Sequence, residues 1–126
     1  MRRSRPGERG SGTALTGAMA LLLCAAMLLG VWIAGWIGSV HRARAAADLA
    51  ALAGAQAHVR SAEACPAAST VARANDATLV RCHIEGDRRD FQVVVAVRSQ
   101  LTPAVAGAER WVVEEAIAGS LPREQP

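Results

Sequence analysis

The sequence predicts an α+β protein: a long N-terminal transmembrane helix extended by an alanine-rich helix, then a small head with one short helix and a three-stranded antiparallel sheet. Three observations predict this class. Residues 11–40 carry no charge, the residues after them are mostly alanine, and a later segment that alternates apolar and polar side chains, as a half-buried strand does, is followed by a second strand-like segment. The expected parts are a cytoplasmic basic N-terminus (1–12), the transmembrane helix (13–40), its extension (41–60), an extracytoplasmic head (61–119) and a flexible tail (120–126).

The apolar segment at 14–40 is long enough to cross a bilayer. Its 27 residues would form a helix about 40 Å long, and the hydrocarbon layer is ~30 Å thick. Because a cleavable signal peptide has an apolar region of only ~7–15 residues, the length favours an uncleaved anchor. Two arginines, Arg42 and Arg44, follow the segment closely, and more arginines precede it. This bias predicts a cytoplasmic N-terminus.

Three small residues recur at helical spacing within the apolar segment. Gly30, Ala34 and Gly38 lie four positions apart. Small side chains at this spacing let a second helix approach closely inside a membrane. They predict a helix-packing face.

Composition and motifs exclude several classes of function. The net charge is only +3, and the head contains only Phe91 and Trp111 as aromatic residues, so we expect no nucleic-acid partner. The sequence has no Ser/His/Asp arrangement in a plausible context, no phosphate-binding glycine loop and no HExxH motif. We therefore expect neither an enzyme nor a cofactor, a metal or a small-molecule substrate.

The head contains two cysteines, Cys65 and Cys82. Thiols outside the cytoplasm tend to oxidise, so the pair predicts a disulfide, which would stabilise so small a domain by about 3 kcal/mol. A metal site that also uses His83 is the alternative, but no paired CxxC spacing supports it.

The remaining head segments predict a short helix and two strands with defined inner faces. Pro66 suits the first position of a helix between the cysteines. The strand at 78–85 would turn Val80, Cys82 and Ile84 to the core, and the strand at 91–99 would turn inward Phe91, Val93, Val95 and Val97. Residues 108–119 fit either a helix or a strand that places Trp111, Val113 and Ile117 on one face. Leu49, Leu52 and Val59 form an apolar stripe for the head or for a neighbour.

The run "RARAAADLAALAGAQA" at 42–57 resembles the segment that follows the membrane helix in TadE- and TadG-like proteins, which are pilin-like components of Tad pilus machinery. The most specific pieces are the two cysteines and a motif of Ala45, Ala46, Ala47, Asp48, Ala50, Ala51, Leu52, Ala53 and Gly54. The resemblance covers most of residues 8–118, is nearest to the shorter TadE-like branch of GC-rich Gram-positive bacteria, and implies a strand at 111–119.

By this resemblance, the chain is expected to be a minor structural subunit of a Tad-type pilus or secretion apparatus, with other pilin-like subunits, membrane-platform proteins and the membrane as its partners. Prepilin peptidase would cleave after Gly10, although Leu15 stands where such substrates typically carry glutamate. The alternative is a single-span, membrane-anchored extracytoplasmic binding module unrelated to pili.

Overall fold

The computed structural model describes residues 11–104 and 106–120, and it has the predicted α+β class. In chain order the elements are α1 (Ser11–Val59), α2 (Ala64–Ala74), β1 (Ala77–Gly86), β2 (Phe91–Gln100) and β3 (Trp111–Gly119). Expectations for residues 1–10, including cleavage after Gly10, and for residues 121–126 lie outside the described residues. The chain divides into two compact units, Met1–Gly35 and Trp36–Pro126, each described by itself below.

The described part of the first unit is helical and apolar. Its large side chains, such as Leu21, Met27 and Leu28, are exposed. In the described part of the chain, α1 is the one helix long and apolar enough to cross a membrane, and none of its most apolar stretch is buried within the protein. The helix runs on to Val59 because alanine, which dominates its later turns, has the highest helix propensity of all residues.

The second unit contains the sheet, whose strand order is β1-β2-β3 with both pairs antiparallel. Cys82 pairs with Val95, and Val95 pairs with Ala116 on the other side. The segment at 111–119 is therefore a strand, and the helix alternative for it is wrong. The central strand β2 receives hydrogen bonds along both edges, which a ribbon of only two strands would lack.

The core lies between one face of the sheet and the two helices. The four β2 residues predicted to face inward all belong to the buried core cluster, whereas Val94 and Ala96 on the other face lie outside it, which confirms the predicted orientation. The inward-facing residues pack with alanines of α1 and with Ala64, Ala68 and Ala72 of α2. The alanines of α2 recur every four residues, so one side of this helix is a flat surface of methyl groups.

The predicted inner face of β1 is partly wrong because the strand contains an irregularity. Its register with β2 shifts between Leu79 and Arg81, as at a β-bulge, and one extra residue reverses the alternation. Leu79 and Cys82 consequently pack on the core, whereas Val80 is 47% exposed. Ile84 shares a face with Cys82 but is also exposed.

The expected helix between the cysteines begins earlier than predicted. It starts at Ala64, so Pro66 occupies its third position and not its first. Pro66 remains in the first turn, where the missing N–H would have had no partner within the helix. The shift places Cys65 inside the helix, which orients its side chain by the helical backbone.

Candidate functional site

The alanine-rich turns of α1 are the surface on which the head is built. Four residues of the predicted motif, Ala46, Ala47, Ala50 and Ala51, are almost completely buried in the core. A methyl side chain adds little bulk, so the helix backbone can lie close to the valines of β2. The alanine run is thus a packing surface for the chain's own sheet.

Gly54 marks the closest approach between α1, α2 and β2. A Cβ atom added there would lie 3.0 Å from Val93 Cγ1, 3.3 Å from the Ala64 carbonyl oxygen and 3.5 Å from Ala68 Cβ. Three elements therefore converge on this position. The hydrogen atom of glycine leaves the space that they occupy.

The other residues of the predicted motif do not face the core. Ala45, Asp48 and Leu52 are exposed, and Ala53 is half-buried. The apolar stripe also remains uncovered, since Leu49 is 46% and Leu52 49% exposed. The head leaves this stripe uncovered, so the alternative that assigned it to the head is wrong. Leucines that project away from the chain's own core are available to another molecule.

The Cys65–Cys82 disulfide is formed, as predicted. It joins the first turn of α2 to β1, with a Cα–Cα distance of 5.8 Å. The bridge engages both sulfur atoms, so the alternative metal site with His83 is wrong. His83 instead lies 3.1 Å from Glu85 on the exposed side of β1.

The sheet face that points away from the helices carries charges and exposed apolar side chains. Arg81 and Glu115 form an ion pair of 3.0 Å that spans β2 above Ala96, the residue with which both are paired in register. Arg98 lies 5.0 Å from the ring of Trp111. Trp111, Val113 and Ile117 share one face as predicted, but it is this outer face, so Trp111 is not a core residue.

Among the described titratable groups, Asp87 has a shifted pKa. Asp87 Oδ1 accepts hydrogen bonds from the backbone N–H groups of Arg89 and Asp90, at 3.0 and 3.1 Å. These two bonds, that of Arg89 first, lower the pKa of the Asp87 carboxyl because they stabilise its ionised form. They fix the turn between β1 and β2. Within the described residues, no group of three or more His, Cys, Asp or Glu side chains could hold a metal ion.

Sequence reasoning missed a cavity of about 450 Å³ within the second unit. Its lining comes from three distant segments: the α1 residues Ser39, Arg42 and Ala43, the turn residues Asn75 and Asp76, and Ser99, Gln100 and Thr102 at the end of β2. No motif joins these segments, so only the folded chain brings them together. The lining is mainly polar and includes the Arg42 guanidinium and the Asp76 carboxylate.

The predicted helix-packing face lies on α1, with open space around Gly30. Gly38 is half-buried and has the Arg42 guanidinium nearby. The packing of this face against a second helix remains a prediction. No protein-family profile, curated protein or solved structure matches this chain.

Proposed function

We propose that the chain is a pilin-like minor structural subunit of a Tad-type pilus or secretion apparatus, anchored in the cytoplasmic membrane with its N-terminus inside and its head outside. The observation that carries the proposal is the construction of α1. One helix contains an exposed apolar stretch and an alanine face on which a small antiparallel sheet is packed. The resemblance of residues 42–57 to TadE-like proteins is the reason for proposing Tad-type machinery.

The disulfide supports the extracytoplasmic placement of the head. Structural disulfides persist in oxidising compartments and are rare in the cytosol. The bridge joins two elements of the head, and the arginine bias around the apolar segment favours the same orientation. A reporter that is active only outside the cytoplasm should therefore work when fused after Pro126, whereas one that is active only in the cytoplasm should not.

The exposed stripe on α1 supports association with other subunits. Leu49 and Leu52 lie on the helix surface that the chain's own sheet leaves free. This alanine-rich part of the helix has few other large apolar side chains. Covering both would remove apolar surface from water, at ~25 cal/mol per Å². A neighbouring helix with small side chains fits such a ridge.

Site-specific photo-crosslinking in the native host tests this function. A crosslinker at Leu52 should capture a second chain with an apolar helix and an alanine-rich segment, encoded near a secretion ATPase and membrane-platform genes. The same crosslinker at Thr70, which is exposed on α2, is the control and should not capture it. Absence of such genes from the neighbourhood, with equal capture at both positions, would refute the proposal.

An extracytoplasmic binding module without pilus machinery remains the second candidate. The observation that favours it is the exposed outer face of the sheet, where Trp111, Val113 and Ile117 lie beside paired charges. Aromatic and aliphatic side chains surrounded by polar groups are typical of recognition surfaces. In the crosslinking experiment, capture at Val113 but not at Leu52 would favour this candidate.

A further inference from the structure

The outer side of β3 has no partner strand among the described residues, because the strand order places β3 at an edge of the sheet. At one end of the β2–β3 ladder, Leu101 N donates to the Arg110 carbonyl oxygen at 2.8 Å. At the other end, Ser120 N donates to the Phe91 carbonyl oxygen at 3.1 Å. Hydrogen-bonded pairs alternate with non-bonded pairs in an antiparallel ladder, so the backbone groups that face β2 are those of Val112, Glu114, Ala116 and Ala118. The N–H and C=O groups that point outward are those of Trp111, Val113, Glu115 and Ile117.

This edge lacks most of the features that protect edge strands from pairing. β3 has nine residues, whereas strands are usually about 5–6 residues long, and it contains no proline and no irregularity in its register with β2. The opposite edge is different, because β1 contains the irregularity after Leu79 and is bridged to α2 by the disulfide. Within residues 11–104 and 106–120, no backbone group pairs with the outward groups of β3. They are available to a strand of another chain.

Apolar side chains accompany the outward backbone groups. Trp111, Val113 and Ile117 lie on the outer face of the sheet and are exposed. In an added antiparallel strand, the Cβ atoms opposite theirs would lie on the same face, about 4.5–5.5 Å away. Apolar residues at these positions would remove the exposed side chains from water. Recognition of an extended peptide at a sheet edge works in this way, with affinity from main-chain hydrogen bonds and specificity from alternate side chains.

Two glutamates of β3 determine which charge the added strand should carry. Glu115 already forms an ion pair with Arg81 on the outer face. Glu114 is half-buried on the face that contains the core residue Ala116, and it forms no ion pair with any described residue. A basic side chain opposite Glu114 would supply the missing cation. A second copy of β3 fits less well, because the fullest two-fold pairing is centred on Glu115 and sets two carboxylates directly opposite each other.

We infer that the free edge of β3 binds an extended segment of another protein as an added strand, with a basic residue opposite Glu114 and apolar residues opposite Val113 and Ile117. The bound segment pairs with the outward N–H and C=O groups of β3 and covers the two apolar side chains. Its basic side chain gives the half-buried carboxylate a partner. This binding requires only the folded sheet, so it is independent of a role in a pilus.

Peptide binding to the full-length chain in neutral detergent micelles tests this inference. The probe is the capped, fluorescently labelled peptide Thr-Val-Thr-Thr-Arg-Val-Thr, whose antiparallel pairing can place arginine opposite Glu114 and the valines opposite Val113 and Ile117. Fluorescence anisotropy measures its Kd. A second peptide carries glutamate in place of arginine, and we expect it to bind about tenfold more weakly, because an opposite-charge cross-strand pair becomes a like-charge pair. High salt should reduce this difference.

Matched variants separate backbone pairing from charge. Val113→Pro removes an outward N–H that makes no bond to β2, and edge strands tolerate such a proline, so peptide binding should be lost while the head stays folded. Val112→Pro removes an N–H that bonds to β2 and should lower Tm much more. Glu114→Gln should remove most of the preference for arginine over glutamate. Glu109→Gln removes the same charge from an exposed residue outside β3 and should keep that preference.

Hydrogen exchange measured by NMR adds a residue-level result. In the free chain, the amide hydrogens of Val113, Glu115 and Ile117 should exchange faster than those of Val112 and Glu114, which bond to β2. The arginine peptide should slow exchange of the first group and leave the second group unchanged.

Three results would overturn the inference. The first is equal peptide binding by Val113→Pro and by the unchanged chain, which would exclude pairing at the edge. The second is an equal effect of Glu114→Gln and Glu109→Gln on the preference for arginine. The third is slow exchange of the outward amides without peptide that is lost on dilution, which would identify a second copy of β3 as the partner.

Discussion

A single larger side chain at Gly54 should disrupt the packing of α1 against α2 and β2. In Gly54→Leu, the first added atom already lies 3.0 Å from Val93 Cγ1, and the rest of the side chain has no space. Val93 is fully buried in the central strand, and the Ala64 oxygen belongs to the backbone, so neither neighbour can move by a simple rotation. Overpacking of a core typically costs ~1–3 kcal/mol, and we expect the upper end here.

Helix propensity acts in the opposite direction and must be subtracted. Leucine stabilises a helix relative to glycine by ~1 kcal/mol, so the net loss of unfolding free energy should be about 2 kcal/mol. For a unit of this size, that loss corresponds to a decrease in Tm of about 8–16 °C. Gly54→Ala is a milder case, in which the propensity gain and the crowding nearly cancel.

Thermal unfolding of the full chain in detergent micelles, followed by tryptophan fluorescence, measures the effect. Ala45→Leu is the matched control, because it introduces the same side chain on the exposed side of α1. The control should change Tm by no more than about 2–4 °C, because exposed substitutions usually change stability by less than ~0.5 kcal/mol. Equal Tm values for Gly54→Leu and Ala45→Leu would refute the packing of α1 against α2 and β2.

Three further outcomes are expected. Cys65→Ser and Cys82→Ser should each lower stability by about 3 kcal/mol, the entropy of a loop with a sequence separation of 17, and the double variant should cost no more than either; unchanged melting after reduction would contradict this. Asp87→Ala should destabilise the first hairpin at neutral pH, because the hydrogen bonds that lower the pKa of Asp87 stabilise its ionised carboxylate. The difference should vanish as the pH falls below 3.8 and through the lowered pKa, and a pH-independent difference in Tm would speak against it. Glu115→Gln should cost less than ~1 kcal/mol because the ion pair with Arg81 is exposed, and a Tm loss as large as that of Gly54→Leu would exclude this view.

The sequence predicted the faces of β2 because the polar residues Gln92 and Arg98 fall on the face opposite Phe91 and Val93. Every second residue from Phe91 to Val97 is apolar, and all four are buried. The same reasoning failed in β1, where the irregularity after Leu79 moves Val80 to the outside. An extra residue in a strand leaves no mark on composition, so alternation could not reveal it.

The alanine run illustrates a different limit. Because almost every position is alanine, no periodicity shows which side of α1 is buried, and the leucine stripe left open whether the head or a neighbour covers it. Burial follows from close approach of backbones, which favours the side with the smallest residues, including Gly54. The cavity could not be predicted either, because Arg42, Asp76 and Ser99 come from separate segments that meet only after folding.

The disulfide also has a mechanical consequence for a protein that is pulled along its chain. Tension applied between the apolar segment and the C-terminus can extend only residues outside the closed loop, because the Cα atoms of Cys65 and Cys82 stay 5.8 Å apart. The 17 intervening peptide steps would otherwise lengthen by about 50 Å when fully stretched. Helix α2 and the first half of β1 are thereby shielded from force, and the load falls on the contact between the alanine methyl groups of α1 and the sheet.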